Sequence, residues 1–409
     1  VRILLVTSYS PFPVRRGRDR LIKSLIDGLA VRHEVTLATM ALDETEERAL
    51  AEGGAAFSIR SIKAPNRRSV IHRGWFKLVN IAGALVTLVP PEVSYARPLA
   101  FVRHVRRLCE ELEPELVLVN YWHLYDLPRV LRSRRVVLIT HDVDYLVSAE
   151  RTRRISGFFK RTVARIDAVF EERIERRAYS LYDSILTLTK RDAGAVVEAI
   201  GDARKTVLPL PLAIDLRRYR PSGLERDRET ILFFGAFDAD FNRDALRFLA
   251  RDIFPEVRRL RPGCRCELVG HGLEAHLRRE LPPGFVYRGG VEDVRPHLAA
   301  CTCAVLPLRF GGGVRIRMME AAAMGTPVVS TPAGVAGMGL QAGRDYLEAS
   351  DAPGFARAIL DLIEDERLAA AIGESARRWA CETISMDDYP DRLDACLSLL
   401  EKRLSKKLG

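Results

Sequence analysis

Short apolar runs rich in Val, Ile and Leu alternate with longer amphipathic segments along almost the whole chain. That alternation is the pattern of parallel βαβ units. In the first half the strand-like runs are "RILLVTS", "EVTLATM", "ELVLVN", "RRVVLIT" and "SILTLT", and the longest intervening helix is expected around Asp144–Tyr179. "KTVLPLPLAIDLRRYRPSGLERDRET" then breaks the rhythm with prolines and charge, which places a linker at Pro209–Glu229. A second set follows in "TILFFGAF", "CRCELVGHG", "GFVYRGG", "CAVLPL" and "PVVST", and the tail after Trp379 reads as a final helix with a basic end. No repeat of solenoid length is visible. The economical reading is an α/β chain of two doubly wound halves with a cleft between them, the ligand lying beyond the carboxyl ends of the strands.

The bulk numbers narrow the partners. At 47% hydrophobic and 29% charged residues over 409 positions, the chain is an ordinary globular protein with room for two or three cores. Lys and Arg outnumber Asp and Glu, 64 to 54, which suits phosphorylated small molecules, acidic lipid or nucleic acid. No nucleic-acid-binding module is recognisable, so no nucleic-acid partner is expected. Seven cysteines, an odd number without a leader pattern, point to a reduced cytoplasmic setting. Cys264/Cys266 and Cys301/Cys303 each sit two apart in strand-like runs, so each pair should share a face as small buried side chains; a metal site would more often show Cys-x-x-Cys, and no metal is expected. The chain opens on "VRILLVTSYS", a strand, so no signal segment is expected. The apolar stretch Leu78–Val93 is interrupted by Pro90 and Pro91 and is too short to span a bilayer.

The richest stretch chemically is "GGGVRIRMMEAAAMGTPVVSTPAG", Gly311–Gly334. A strand ends where its glycines begin, and a helical pattern follows. Strand, glycine loop and helix start form an anion site, because free backbone N–H groups and the helix dipole both favour negative charge there. Arg315 and Arg317 put cations in the first turns, a poor place for them unless an anion is present. The competing reading is an ordinary surface pair between Arg317 and Glu320, three apart.

That stretch, with "FFGAFDADFNRDALRFLARDIFPEVRRLRP", "LVGHG", "YRGGVEDVRPHLAAC" and "AVLPLRF", resembles glycosyltransferase family 4 across about residues 229–380. The likeness extends more weakly through "SPFPVRRGRDRLIKSL", "HEVTLATM" and "THDVDYLVSAE". It implies a GT-B fold: Rossmann-like domains at 1–212 and 213–384 facing across a cleft, with a C-terminal helix, 385–409, returning to the first domain. It also implies a retaining transferase that takes a sugar from a nucleoside diphosphate to a hydroxyl acceptor. Glu320 then matches the second glutamate of the family's Glu-x7-Glu motif, on the donor ribose. Arg317 stands where relatives carry a lysine facing the diphosphate, and Arg315 is a second such cation. Amides of Gly312, Gly313 and Val314 would hold the β-phosphate or the sugar. Gly312 replaces the motif's first glutamate, as in a glycine-rich subgroup, which leaves the donor sugar open.

"GAFDADFNRDAL" is implied to face the diphosphate through Gly235, Asn242 and Arg243, with Asp240 or Asn242 as helix N-cap the preferred reading over a metal-binding "DAD". Gly270, Gly290 and Val291, at successive strand ends, would meet the base through their backbones; tight turns account for the glycines equally well. In the first half the implied acceptor-side residues are Arg16 and Gly17, where the family has Gly-Gly, together with Asp142, and His141 would donate to a sugar hydroxyl or the reaction centre. Asp142 is equally placed to cap the next helix. Basic, partly aromatic segments, "RSIKAPNRRSVIHRGWFK" and "RTRRISGFFKRTVAR", read either as plain helix surface or as contacts to anionic membrane that would serve a lipid-linked or phosphorylated acceptor at the inner face. The resemblance calls for no cofactor beyond the nucleotide-sugar co-substrate, no metal, and no protein base, since a phosphate oxygen takes the acceptor proton. A GT-B-like nucleotide-sugar epimerase and a catalytically weak nucleotide-sugar-binding protein are the alternatives.

Overall fold

The Val/Ile/Leu runs form strands because β-branched side chains pack well on a pleated surface that helices cover on both faces. A computed structural model describes residues 1–14, 17–53, 56–64, 93, 96–131, 135–155, 157–202, 204–223 and 225–405. Its contacts divide the chain into two units, Val1–Pro211 with Asp388–Gly409, and Leu212–Asp387.

The first unit holds β1 (Arg2–Thr7), β2 (Glu34–Ala41), β3 (Ser58–Lys63), β4 (Leu116–Asn120), β5 (Val136–Thr140), β6 (Ser184–Thr187) and β7 (Thr206–Pro209). They form one sheet in the order β3-β2-β1-β4-β5-β6-β7, and every pairing is parallel. Leu4, Val6, Val117, Val119, Leu138 and Ile185 build a core with Trp122, Tyr179 and Tyr182. The C-terminal helix Tyr389–Ser405 belongs to this unit: Arg32 pairs with Asp391 at 2.5 Å and Asp394 at 2.7 Å, and the Tyr389 ring fills the space beside Gly28.

The second unit holds β8 (Asp227–Phe234), β9 (Arg265–Val269), β10 (Phe285–Gly289), β11 (Cys301–Leu306), β12 (Val328–Ser330) and β13 (Leu347–Glu348), in the parallel order β10-β9-β8-β11-β12-β13. Alternation along β8 feeds two cores. Leu232 and Phe234 pack with Met318, Ala321 and Trp379, while Ile231 and Phe233 pack with Leu246, Phe254 and Phe355.

Three expectations need correction. The helix expected over Asp144–Tyr179 is two helices, Asp144–Arg154 and Phe158–Leu181, because the backbone turns extended at Ile155 (ψ 123°) and Gly157, at a φ of 94°, starts the second helix in a new direction. The linker expected at Pro209–Glu229 is shorter, since Pro209 closes β7 and Asp227 opens β8. Cys264 and Cys266 do share a core, but Cys301 and Cys303 do not, because a register shift in β11 between them turns them to opposite faces. Among the described residues no helix is long and apolar enough to cross a membrane. The stretch 65–92, which contains most of "RSIKAPNRRSVIHRGWFK" and all but the last residue of Leu78–Val93, lies outside the described residues.

Candidate functional site

Strand order in the second unit reverses between β8 and β11, and open parallel sheets bind ligands beyond the strand ends at such a switch. The segment after β8 leads into the helix Asp240–Phe248, and the glycine loop after β11 leads into the helix Ile316–Ala323. Arg317, in that second helix, is buried, so it is not the surface half of a pair with Glu320. Its Nη1 donates to the Phe234 carbonyl at 2.7 Å and its Nη2 to Asn242 Oδ1 at 2.7 Å. Burial, and then the neighbouring Arg315, push its pKa down to about 9, while Glu320 opposes them. Arg315 is itself buried at the N-cap position, with its guanidinium 5.4 Å from the Phe241 ring. A side chain at Gly311 (φ 125°) would collide with that guanidinium at 2.5 Å, so the glycine makes room for the cation. Glu320, one turn further on, is buried and accepts a 2.8 Å bond from the Tyr219 hydroxyl.

The other expected donor-side residues divide into positioning groups and surface groups. Asn242 does not present its amide outward: besides accepting from Arg317, it donates through Nδ2 to the Ala236 carbonyl at 2.6 Å. Neither Asp240 nor Asn242 caps the helix. Its N-cap is Ala239, without a side-chain bond, because both side chains are drawn elsewhere, Asp240 to Arg243 and Asn242 to Arg317. Arg243 also donates to the Asp238 carbonyl at 3.0 Å and lies 3.3 Å from Glu274, so acidic partners hold it. Gly270 is required by packing, since a Cβ there would lie 1.8 Å from the Gly235 carbonyl oxygen. Its own N–H is spent on Gly289 and its carbonyl on the Tyr287 hydroxyl, which leaves little for a base. Gly290 and Val291 are exposed beyond β10, and Gly312, Gly313 and Val314 are half-buried in the loop. Among the described residues no cluster of three or more His, Cys, Asp or Glu side chains could hold a metal ion.

In the first unit the switch falls between β1 and β4. Thr7 Oγ1 donates to the Tyr9 carbonyl at 3.1 Å, so its oxygen is free to accept from Asn120 Nδ2 at 3.4 Å. That orients Asn120 Oδ1 toward His141 Nε2, 2.7 Å away, which must therefore carry the imidazole proton. The expected donation from His141 to a ligand is thus not available through Nε2; Nδ1 is left as an acceptor facing the Tyr121 hydroxyl at 3.4 Å. Tyr121 stacks on the His141 ring, with centroids 4.4 Å apart, and sits at φ 76°, a strained backbone for a non-glycine residue. Burial, and then Arg18, lower His141 to about 3 and the adjacent His123 to about 4, so both rings are neutral near pH 7.

Asp142 is half-buried and does not cap the next helix. Glu175 takes that role from the facing helix, accepting from the N–H groups of Asp144 at 3.0 Å and Tyr145 at 2.8 Å. Burial raises Glu175 to about 8, against the pull of the Tyr179 hydroxyl and those two amides. Gly17 begins the helix Gly17–Ala30, and Arg16 lies outside the described residues. Tyr219, Asn120 and Glu175 were not singled out in the sequence. Of the three only Asn120 left a trace, as a polar residue closing an otherwise apolar strand.

Residues 228–365 match the family model described as glycosyl transferases group 1. A GDP-mannose-dependent alpha-(1-6)-phosphatidylinositol monomannoside mannosyltransferase of Mycolicibacterium smegmatis is 31% identical over 160 residues, 35% of this chain and 42% of that relative's length. The sucrose-phosphate synthase structure from Thermosynechococcus elongatus superposes with a TM-score of 0.75 at 16% identity, covering 98% of this chain and 99% of that one. Anabaena Alr3699/HepE in complex with UDP and glucose gives 0.68 at 15% identity, covering 97% and 99%. The fold is therefore GT-B, two parallel-sheet Rossmann-like units, and the second unit carries the group 1 glycosyl transferase match.

Proposed function

We propose that the protein is a glycosyltransferase that moves a sugar from a nucleoside diphosphate to a hydroxyl acceptor with retention at the anomeric carbon. The observation that carries this reading is the buried Arg317, bonded to two neutral acceptors beside a second buried guanidinium, Arg315, at the start of a helix. Concentrated positive charge of this kind is costly in an empty protein and repaid when an anion arrives. The bond between anomeric carbon and phosphate oxygen breaks, and the departing diphosphate gains negative charge. The loop amides of Gly312–Val314, the helix dipole and the two arginines stabilise that charge. The acceptor oxygen bonds to the anomeric carbon and its proton passes to a phosphate oxygen, so the chemistry calls for neither a protein base nor a metal. Glu320, held by Tyr219, accepts from the donor ribose hydroxyls. On the acceptor side we place Gly17, Asp142 and Arg16, with His141 as an acceptor rather than a donor. A lipid-linked or phosphorylated acceptor is supported by the surplus of 64 Lys and Arg over 54 Asp and Glu, and by the phosphatidylinositol-linked substrate in the mycobacterial relative's name.

The test is thermal unfolding with UDP, GDP and ADP, with and without a chelator, in the wild type and in Glu320→Gln. One diphosphate should raise the melting temperature irrespective of chelator, and the variant should lose most of that shift. If no diphosphate stabilises the protein, the reading fails. If the sugar of a donor is converted without any acceptor, the epimerase is the better description.

A further inference from the structure

The helix Phe158–Leu181 has buried residues only in its second half, at Ile174, Glu175, Ala178 and Tyr179. From Gly157 to Phe170 none is buried, and Ala164, Ala168 and Phe170 alone are half-buried. Phe158 is 82% exposed and Phe159 79%, and Val163, Ile166 and Val169 are exposed with them. At about 100° per residue these five side chains fall within one arc of about 140°. Ala164 and Ala168 lie opposite that arc, on the side closer to the rest of the fold. Arg161 and Arg165 flank the arc on one edge; on the other lie Asp167 and, beyond it, Lys160.

We infer that this half-helix is a docking surface for the interface of an anionic lipid bilayer, lying in the plane of the membrane with Phe158 and Phe159 inserted. Charge selects that occupant. Arg151, Arg153, Arg154, Lys160, Arg161 and Arg165 fall between positions 151 and 165 with no acidic residue among them. A second copy of the chain would bring the same cations together, whereas acidic headgroups neutralise them while the aromatic rings enter the acyl boundary. Long basic side chains beside an apolar stripe reach headgroups without leaving the interface. The inference deepens the proposed lipid-linked acceptor, because a surface held at the bilayer meets such an acceptor where it resides. It rests on that reading for its purpose but not for its test.

The experiment is flotation of the full chain with phosphatidylcholine vesicles and with mixed phosphatidylcholine–phosphatidylglycerol vesicles, at low and high salt. The wild type should float with the mixed vesicles and much less with the neutral ones, and salt should weaken the binding. Phe158→Ala/Phe159→Ala should lower partitioning by about a hundredfold, two exposed rings no longer being buried in lipid. Lys160→Gln/Arg161→Gln/Arg165→Gln should remove the preference for the acidic lipid, each cation contributing about fivefold. Absence of flotation with the mixed vesicles, or equal flotation of the Phe158/Phe159 variant, overturns the inference. So does a change of oligomeric state in that variant by sedimentation, which would mean that another copy covers the patch. The nucleoside-diphosphate thermal shift should be the same in the Phe158/Phe159 variant and the wild type, so failure of docking and failure of the proposed transferase reading are told apart.

Discussion

Replacing Arg317 by Met should separate what the residue does for the fold from what it does for a ligand. Burial, and then Arg315, push the guanidinium down from its ordinary value to about 9. At about 1.4 kcal/mol per pH unit, that depression amounts to about 5 kcal/mol against the charged form in the empty protein. The folded state holds this proton less tightly than the unfolded one, so the penalty is complete at pH 7 and is released only as pH rises above about 9 toward the ordinary arginine range. Met removes the penalty but leaves the Phe234 carbonyl and Asn242 Oδ1 without their donor, which costs about 4 kcal/mol for the two. The apo variant should therefore lie within about 2 kcal/mol of the wild type by urea denaturation. An ordinary buried ion pair that loses one partner would instead lose about 3 to 5 kcal/mol. Affinity for the stabilising nucleoside diphosphate should fall about 10- to 100-fold by calorimetry, the loss of one charged hydrogen bond to phosphate. If Arg317→Met loses more than about 4 kcal/mol of stability and binds the diphosphate as well as the wild type does, the arginine is a structural brace and the anion-site argument is wrong.

Tyr219→Phe removes the hydroxyl that Glu320 accepts from at 2.8 Å, and should cost about 2 kcal/mol in urea denaturation and weaken nucleoside-diphosphate binding in the same sample. Gly270→Ala forces a methyl to within 1.8 Å of the Gly235 carbonyl at a φ of 148°, and should destabilise the protein by about 3 kcal/mol or more; a melting curve like the wild type's would contradict that packing. His141, lowered to about 3, binds its proton less well folded than unfolded, so stability that is complete above pH 6.5 should drain away as pH falls toward 3, by about 5 kcal/mol from this group. His141→Asn should flatten that acid limb in a pH series of denaturation curves.

The strands legible in the sequence are mostly central, where helices on both faces demand a continuous apolar run, as in "LVLVN" and "VVLIT". Those less legible in the sequence, β3, β7 and β13, lie at sheet edges among the described residues, where polar residues are tolerated. Ser58–Lys63 alternates exposed and half-buried residues, and Thr206–Pro209 ends on a proline that suits an edge. The glycine loop before the helix Ile316–Ala323 was visible because glycine and arginine are informative at a strand-to-helix turn. The groups that hold its side chains were not visible, because their partners are remote in sequence. Asn242 lies 75 positions from Arg317, Tyr219 lies 101 from Glu320, and Asn120 lies 21 from His141. A linear pattern can mark a charged residue, but only tertiary structure reveals that an amide or a hydroxyl has been brought against it.

The two units differ in the charge that their strand-order switch points tolerate. In the second, two buried guanidiniums share a helix start; in the first, His123 and His141 are kept neutral by burial and by one cation, Arg18. Each depressed value reports a site that resists further positive charge, and an anion placed there must oppose the depression. If this unit takes the acceptor, as proposed above, the histidines become a reporter of its chemistry. A phosphorylated sugar bound near Arg18 should favour the imidazolium and carry His123 and His141 upward from about 4 and about 3 toward 6.5, as followed by ring-proton NMR titration. A neutral sugar, which only displaces water, should leave them where they are or lower them further. If the phosphorylated compound binds without raising either histidine, its anionic group does not enter the first unit's switch point, and the proposal of a phosphorylated acceptor there fails.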